Sequence, residues 1–254
     1  GVSPEDAEYD GAPHAGYAGF PQAGAPGVSG PVELEVGYEG TLADGGAYGP
    51  CADAPVKAGS YSVTFSVPRD HPLASGSKTL SFSISARDLE LQAAERPYDG
   101  TDAFDGSLLA LSREGGRGVL PGDDVSLDAS SATAVADSPF AGRASVARVS
   151  GASLAGADAA SYRLATSFPV SISRAENAWA AQPSVEGRTY GERPNAPAAQ
   201  AAFGAAELGW VAPDGTILEA LPDRPVAGTW TLAARVPGTS DYAGLEGEAA
   251  FEVL

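Results

Sequence analysis

Tyr61-Ser62-Val63-Thr64-Phe65-Ser66-Val67 is the stretch whose reading decides the fold. Each odd position is apolar and each even one is Ser or Thr. Side chains of a strand alternate between its two faces, so this pattern is a strand with one buried and one solvated face. Val32, Leu34, Val36 and Tyr38 alternate in the same way with Glu33, Glu35, Gly37 and Glu39. Leu80, Phe82 and Ile84 alternate with Ser81, Ser83 and Ser85. Half-wet strands of this kind belong to antiparallel sheets. Turn dipeptides such as Asp10-Gly11, Asp99-Gly100 and Asp214-Gly215 punctuate them.

The deciding stretch also recurs. Ala58-Gly59-Ser60-Tyr61 returns as Ala227-Gly228-Thr229-Trp230, and the same offset sets Val63 against Leu232, Val67-Pro68 against Val236-Pro237, Phe82 against Phe251 and Ile84 against Val253. Tyr9-Asp10-Gly11 recurs as Tyr98-Asp99-Gly100 and, altered, as Tyr190-Gly191-Glu192, at nearly equal spacings. These registers divide the chain into three repeats, 1–86, 87–174 and 175–254. The expected fold is all-β: three tandem immunoglobulin-like β-sandwich domains arranged end to end, with β-grasp-like, mostly-β modules as the alternative. No repeat has the Cys…Trp…Cys core of antibody domains. Ala198 to Leu208 is rich in alanine, the best helix former. Yet Leu208-Gly209-Trp210 falls where Val36-Gly37-Tyr38 lies in the first repeat, so a strand is expected there. Only eight residues precede Tyr9, which predicts a short or frayed first strand.

Composition sets the outer limits. The 254 residues carry 15 Lys plus Arg against 33 Asp plus Glu, a net charge of -18. By repeat the nets are -7, -4 and -7, so the acid is spread along the chain rather than focused in a pocket. Nucleic acid and anionic membrane surfaces both need clustered basic residues, and are excluded as partners. One cysteine forms no internal disulfide and no cysteine-rich zinc module. No apolar run approaches a membrane span. A chain that lacks methionine and starts at Gly1 is expected to be a piece of a longer protein. Only Ala86-Arg87-Asp88 and Ile172 to Glu176 separate the expected strands at the two joints, too little for a flexible linker. Stacked modules should therefore give an elongated monomer. Its radius of gyration would be about 30 Å for centres about 35 Å apart, against about 18 Å for a compact globule.

Tyr98-Asp99-Gly100-Thr101, Pro121-Gly122-Asp123-Asp124-Val125-Ser126-Leu127 and Ser153 to Leu164 together resemble the YDG-type repeat of bacterial surface proteins and filamentous adhesins. The first and third repeats resemble the related MBG-type bacterial Ig-like modules, with a Tyr-x-Gly opening, Ala-Gly-Ser/Thr-aromatic leading a strand, Val-Pro, and a closing alternating strand. The third keeps Asp241-Tyr242-Ala243 after Val-Pro, whereas the first has Asp70-His71-Pro72-Leu73. The resemblance implies an extracellular bacterial chain, associated with the cell wall or envelope, of tandem modules that project a head or contact a host or neighbouring cell. It brings no catalytic residues.

The residues agree with a non-catalytic reading. His14 and His71 are the only histidines, and no G-x-S-x-G elbow accompanies them. Cys51, His14 and His71 have no zinc-motif spacing, so no metal ligands are assigned. Asp99, Asp102 and Asp105, and Asp123, Asp124 and Asp128, lack the EF-hand pattern; calcium at a joint is the one cofactor they leave open, and solvated turns are the plainer reading. Lys57 and Lys78 lie in the first repeat and Asn177 and Asn195 in the third, so no repeat holds both partners of a Lys-Asn isopeptide bond. Gly115-Gly116-Arg117-Gly118 is expected as a hairpin tip. Two roles remain, a stalk of spacer modules or a module that binds a host or cell-surface protein or glycan. Tyr17, Phe20 and Tyr48, in Gly/Pro-rich segments, are the candidate contact residues for the second.

Overall fold

The computed structural model describes residues 1–23, 32–71, 75–187, 189–190 and 196–254. Pro72-Leu73, Gly191-Glu192 and Asn195, singled out above, lie outside the described residues. The chain is all-β, built of several small sheets; among the described residues the helical segments are two three-residue 3-10 turns, Gly106–Leu108 and Ala159–Ser161. It divides into two compact units, residues 1–93 with 104–135 and 147–168, and residues 94–103 with 136–146 and 169–254.

In the first unit, five strands pair in the order Ala7–Glu8, Ser77–Ser85, Gly59–Ser66, Glu35–Leu42, Ala47–Cys51. All neighbours are antiparallel except the first pair. The period of two has its expected effect: Tyr61, Val63 and Phe65 are buried, as are Phe82 and Ile84, while the Ser and Thr between them are not. These side chains form one cluster with Tyr9, Tyr38, Leu89, Val119, Val125 and Tyr162. Two expected boundaries move. The strand begins at Glu35 and runs to Leu42, Val32 making only a bridge to Ala23. The next strand after Ser85 starts at Arg87, leaving Ala86 alone between them. Val2–Pro4, which pairs with Tyr17–Gly19, and Ala7–Glu8 make the opening of the chain short but paired, not frayed.

In the second unit, Ile217–Leu218, Glu207–Val211, Gly228–Val236 and Leu245–Val253 form an antiparallel sheet in that order. Trp210, Trp230, Leu232, Phe251 and Val253 make its core. Trp179–Ser184 pairs with Ala198–Ala201, and Ala94–Pro97 runs parallel to residues 170–173. The alanine-rich stretch is strand at both its ends, as register and not propensity required.

The internal repeat reproduces pairing and not only composition. Gly59 faces Ile84 as Gly228 faces Val253, and Tyr61 faces Phe82 as Trp230 faces Phe251. Tyr38 stands opposite Val63, and Trp210 opposite Leu232. The hydroxyl of Tyr61 donates to the Lys57 carbonyl at 2.5 Å, and Nε1 of Trp230 donates to the Val226 carbonyl at 2.9 Å, each four residues back.

Candidate functional site

The three recurrent tyrosines take one backbone seat. Tyr9 N–H donates to the Ser85 carbonyl at 2.9 Å, Tyr98 N–H to Ser173 at 2.9 Å, and Tyr190 N–H to Leu254 at 2.6 Å. Ser85 and Ser173 end the strands Ser77–Ser85 and Ser167–Ser173, and Leu254 directly follows the strand Leu245–Val253. The Asp-Gly pair that follows the first two tyrosines explains the turn away from the seat. Asp10 and Asp99 each accept the N–H two residues on, from Ala12 at 2.8 Å and Thr101 at 2.9 Å, an Asx-turn. Gly11 and Gly100 then sit at φ of 81° and 84°, where a side chain would be strained. An Ala-Gly pair lies beside each seat: Ala58-Gly59, Ala141-Gly142 and Ala227-Gly228. Their glycines pair with Ile84, Ile172 and Val253 respectively.

The first seat is filled by residues far along the chain. Tyr9 is 2% exposed, and its ring meets Tyr162 edge to face at 5.5 Å. Both hydroxyls donate to Asp123 Oδ2, at 2.7 Å from Tyr9 and 2.6 Å from Tyr162. Tyr162 in turn accepts Leu120 N–H at 2.9 Å. Burial, reinforced by the Asp123 carboxylate, pushes the pKa of the Tyr162 hydroxyl up to about 12, and the same two causes raise Tyr9 well above its ordinary value. The neighbouring Ala58 N–H, buried, donates to Ser161 Oγ at 3.2 Å. Lys57 Nζ reaches the Ala157 carbonyl at 3.0 Å and Asp158 Oδ1 at 3.1 Å. Asp158 is held below the usual carboxylate range, chiefly by accepting Asp124 N–H and further by Lys57.

The second seat is filled in the same manner. Tyr98 meets Tyr242 edge to face at 5.3 Å, and Tyr242 also stacks on Phe203 at 4.1 Å. Ala141, 3% exposed, donates its N–H to Asp241 Oδ1 at 3.0 Å. Ala175 N–H donates to the Asp241 carbonyl and the Ala175 carbonyl accepts Ala243 N–H, both at 2.9 Å, which fixes the Asp241-Tyr242 element against the chain entering the third repeat. Beneath Tyr98 the buried Arg96 donates to the carbonyls of Pro97 and Thr101 and pairs with Asp99 at 2.7 Å.

Each filled seat thus combines a tyrosine ring, a buried alanine N–H and an Asp/Ser-plus-Tyr element arriving from a later repeat. At the first seat both phenols share the Asp123 carboxylate, and at the second the Asp241 carboxylate takes the alanine N–H. Sequence reasoning weighs Asp123 only within an acidic cluster and Lys57 only as a crosslink partner, and places neither these nor Ser161 and Asp241 at such a seat. Their signal is present, since Asp158 to Tyr162 and Asp241-Tyr242 are visible as motifs, but nothing local says what they meet.

The sequence candidates for ligand contact separate. Tyr17 packs on Phe65 at 4.8 Å, and Tyr48 packs on Tyr61 at 5.5 Å with its hydroxyl on the Asp53 carbonyl at 2.9 Å. Phe20 is 81% exposed, and no ring contact joins the three among the described residues. A groove of about 240 Å³ lies next to it in sequence, lined by Val2, Pro21, Leu34, Phe65, Val67 and Lys78. The acidic clusters are used locally. Asp105 and Asp128 accept Ser107 and Ser130 N–H, and Asp124 accepts Ala157 N–H. Among the described residues no three His, Cys, Asp or Glu converge on a metal-sized site. His14 pairs with Asp10 at 3.0 Å, and Cys51 Sγ lies 3.6 Å from the Asp53 carbonyl. Val119 N–H donating to Ser112 at 3.0 Å closes the loop that carries Gly115 to Gly118.

Residues 86–168 match the family model described as YDG domain. No curated protein matches the chain. Among solved structures, Sidekick-1 immunoglobulin domains 1-5 is similar at 10% identity and a TM-score of 0.24, over 87% of this chain and 54% of that one. Drosophila N-cadherin EC1-4 is similar at 8% identity and a TM-score of 0.21, over 92% of this chain and 69% of that one. The chain spans about half the length of the Sidekick-1 fragment. No catalytic family is indicated by these matches.

Proposed function

We propose that this chain is a non-catalytic stretch of a bacterial cell-surface protein, in which a YDG-type module lies between two MBG-type modules and the three act as an extended spacer in an adhesin-like protein. The observation that carries this reading is the seat filled twice over: Tyr9 with Tyr162 and Tyr98 with Tyr242, each beside a buried alanine N–H given to a side-chain oxygen. A contact repeated along tandem repeats orders each on the next, which is what a spacer requires and an enzyme does not. On this reading the boundaries are 1–86, 87–174 and 175–254, the chain is monomeric and extracellular, and it needs no cofactor. Small-angle scattering tests it. A radius of gyration of about 30 Å is expected, and a value of about 18 Å, that of a compact globule, overturns it.

The exposure of Phe20 favours a second reading for the first repeat, as a module that holds a host or cell-wall glycan or protein. Glycan and matrix-protein arrays probed with the whole chain and with Phe20→Ala test it. Binding that the substitution abolishes supports the second reading, and no binding leaves the spacer role alone.

A further inference from the structure

The third seat has the geometry of the other two and lacks their cover. Tyr190 makes the same backbone hydrogen bond as Tyr9 and Tyr98, yet is 61% exposed where Tyr9 is 2%. Ala227, the counterpart of the buried Ala58 and Ala141, is exposed, and its N–H has no partner among the described residues. Val226 stands at the offset of Lys57, the residue that reaches Asp158 at the first seat, and is 60% exposed. The apolar Val226 changes what this position can hold from an ion pair to a van der Waals contact.

We infer that the Tyr190–Val226–Ala227 face is a docking surface for one further module of this kind, one that presents an Asp/Ser-plus-Tyr element like Asp158 to Tyr162 or Asp241-Tyr242. The occupant is defined by the two filled copies. A tyrosine ring of the incoming module meets Tyr190 edge to face, and an aspartate or serine oxygen accepts Ala227 N–H. A second copy of this chain is a poor occupant, because both of its complete elements are already engaged on Tyr9 and Tyr98, and the first repeat carries Asp70-His71 at the corresponding place. The inference rests on the tandem-module reading above and deepens it by naming the surface through which a further module is ordered.

The test uses the full chain extended at its C-terminus by a second copy of residues 175–254 and, separately, of residues 87–174, so that poor folding of one extension leaves the other as a readout. Hydrogen exchange at the Ala227 amide is followed in the parent chain and in both extended chains. Protection by about tenfold or more is expected on extension, the size of effect one newly made backbone hydrogen bond gives. It should be lost when the appended copy of residues 175–254 carries Asp241→Ala, or when Tyr190→Ser is introduced in the parent part. Ala227 exchanging equally fast in the parent and both extended chains overturns the assignment. The two readings fail separately: elongated scattering with an unprotected Ala227 removes the docking surface and leaves the spacer, whereas a protected Ala227 in a compact particle does the reverse.

Discussion

The rings of Tyr9 and Tyr162 meet edge to face at 5.5 Å, and their two hydroxyls share one acceptor, Asp123 Oδ2. A single carboxylate oxygen therefore satisfies two phenols brought together from the first and second repeats. Removing it leaves both hydroxyls without that acceptor in a place where Tyr9 is nearly inaccessible to water. Asp123→Ala is expected to destabilise the chain by about 2–4 kcal/mol, since a hydrogen bond to a charged group contributes more than a neutral one and stranded donors add their own cost. Asp123→Asn keeps an acceptor and should cost about half as much. Denaturant unfolding of the three proteins reads the order; an unchanged midpoint for Asp123→Ala would show that the shared oxygen contributes nothing.

The same pair sets an alkaline limit. A phenol ionises to its charged form as pH rises, and the folded Tyr162 does so at about 12 against about 10 when unfolded. Its folded value is raised, so its contribution is fully present below about pH 10 and is lost as pH climbs towards 12. Ultraviolet absorbance titration of the phenolates should resolve a late phase coincident with loss of near-ultraviolet circular dichroism. In Tyr162→Phe the part of that phase due to Tyr162 should vanish. A single titration at the free-tyrosine value in the folded protein would contradict the shared-acceptor geometry.

How much of this is legible in the sequence depends on range. The period of two from Tyr61 to Val67 marks the buried face correctly, and the offset that sets Ala58 on Ala227 predicts equivalent places for Tyr61 and Trp230, which their registers against Phe82 and Phe251 bear out. Leu208-Gly209-Trp210 pairs as a strand despite its alanine-rich approach, because its place opposite the strand of Leu232 outweighs local propensity. Alternation begins at Val32, whereas the strand begins at Glu35, since Val32 and Leu34 continue the pattern beyond Glu35 opposite Ser66, where the ladder with Gly59–Ser66 ends, and Val32 bridges to Ala23 instead. Asp123 and Asp241 are unreadable as partners of Tyr9 and Ala141. Periodicity reports which face is buried and carries no information about a contact made with a distant repeat.

Gly16 is a position where the backbone and its neighbour both forbid a side chain. It sits at φ of 74°, and a Cβ there would overlap the Phe82 ring in the core. Gly16→Ala must adopt the left-handed conformation and displace Phe82, together costing about 2–4 kcal/mol. Gly115→Ala shares the positive φ, at 73°, but would meet nothing within 4 Å. It should cost only about 1 kcal/mol. Thermal unfolding of the two variants separates strain from overlap. Equal losses would show that Phe82 yields without cost.

At the second seat the decisive atom is Asp241 Oδ1, which accepts the N–H of the buried Ala141 at 3.0 Å. Asp241→Ala leaves that buried N–H without its acceptor, and should cost about 1–3 kcal/mol. The Asp241 backbone still accepts from Ala175, so the Tyr242 ring should remain over Tyr98 and the effect should stay local. Hydrogen exchange tells the two apart. The Ala141 amide is expected to lose about tenfold or more of its protection, while the amide of Val63, in the core of the first unit, stays as slow as in the parent chain. Loss of protection at both positions would mean that Asp241 supports the whole chain rather than one seat.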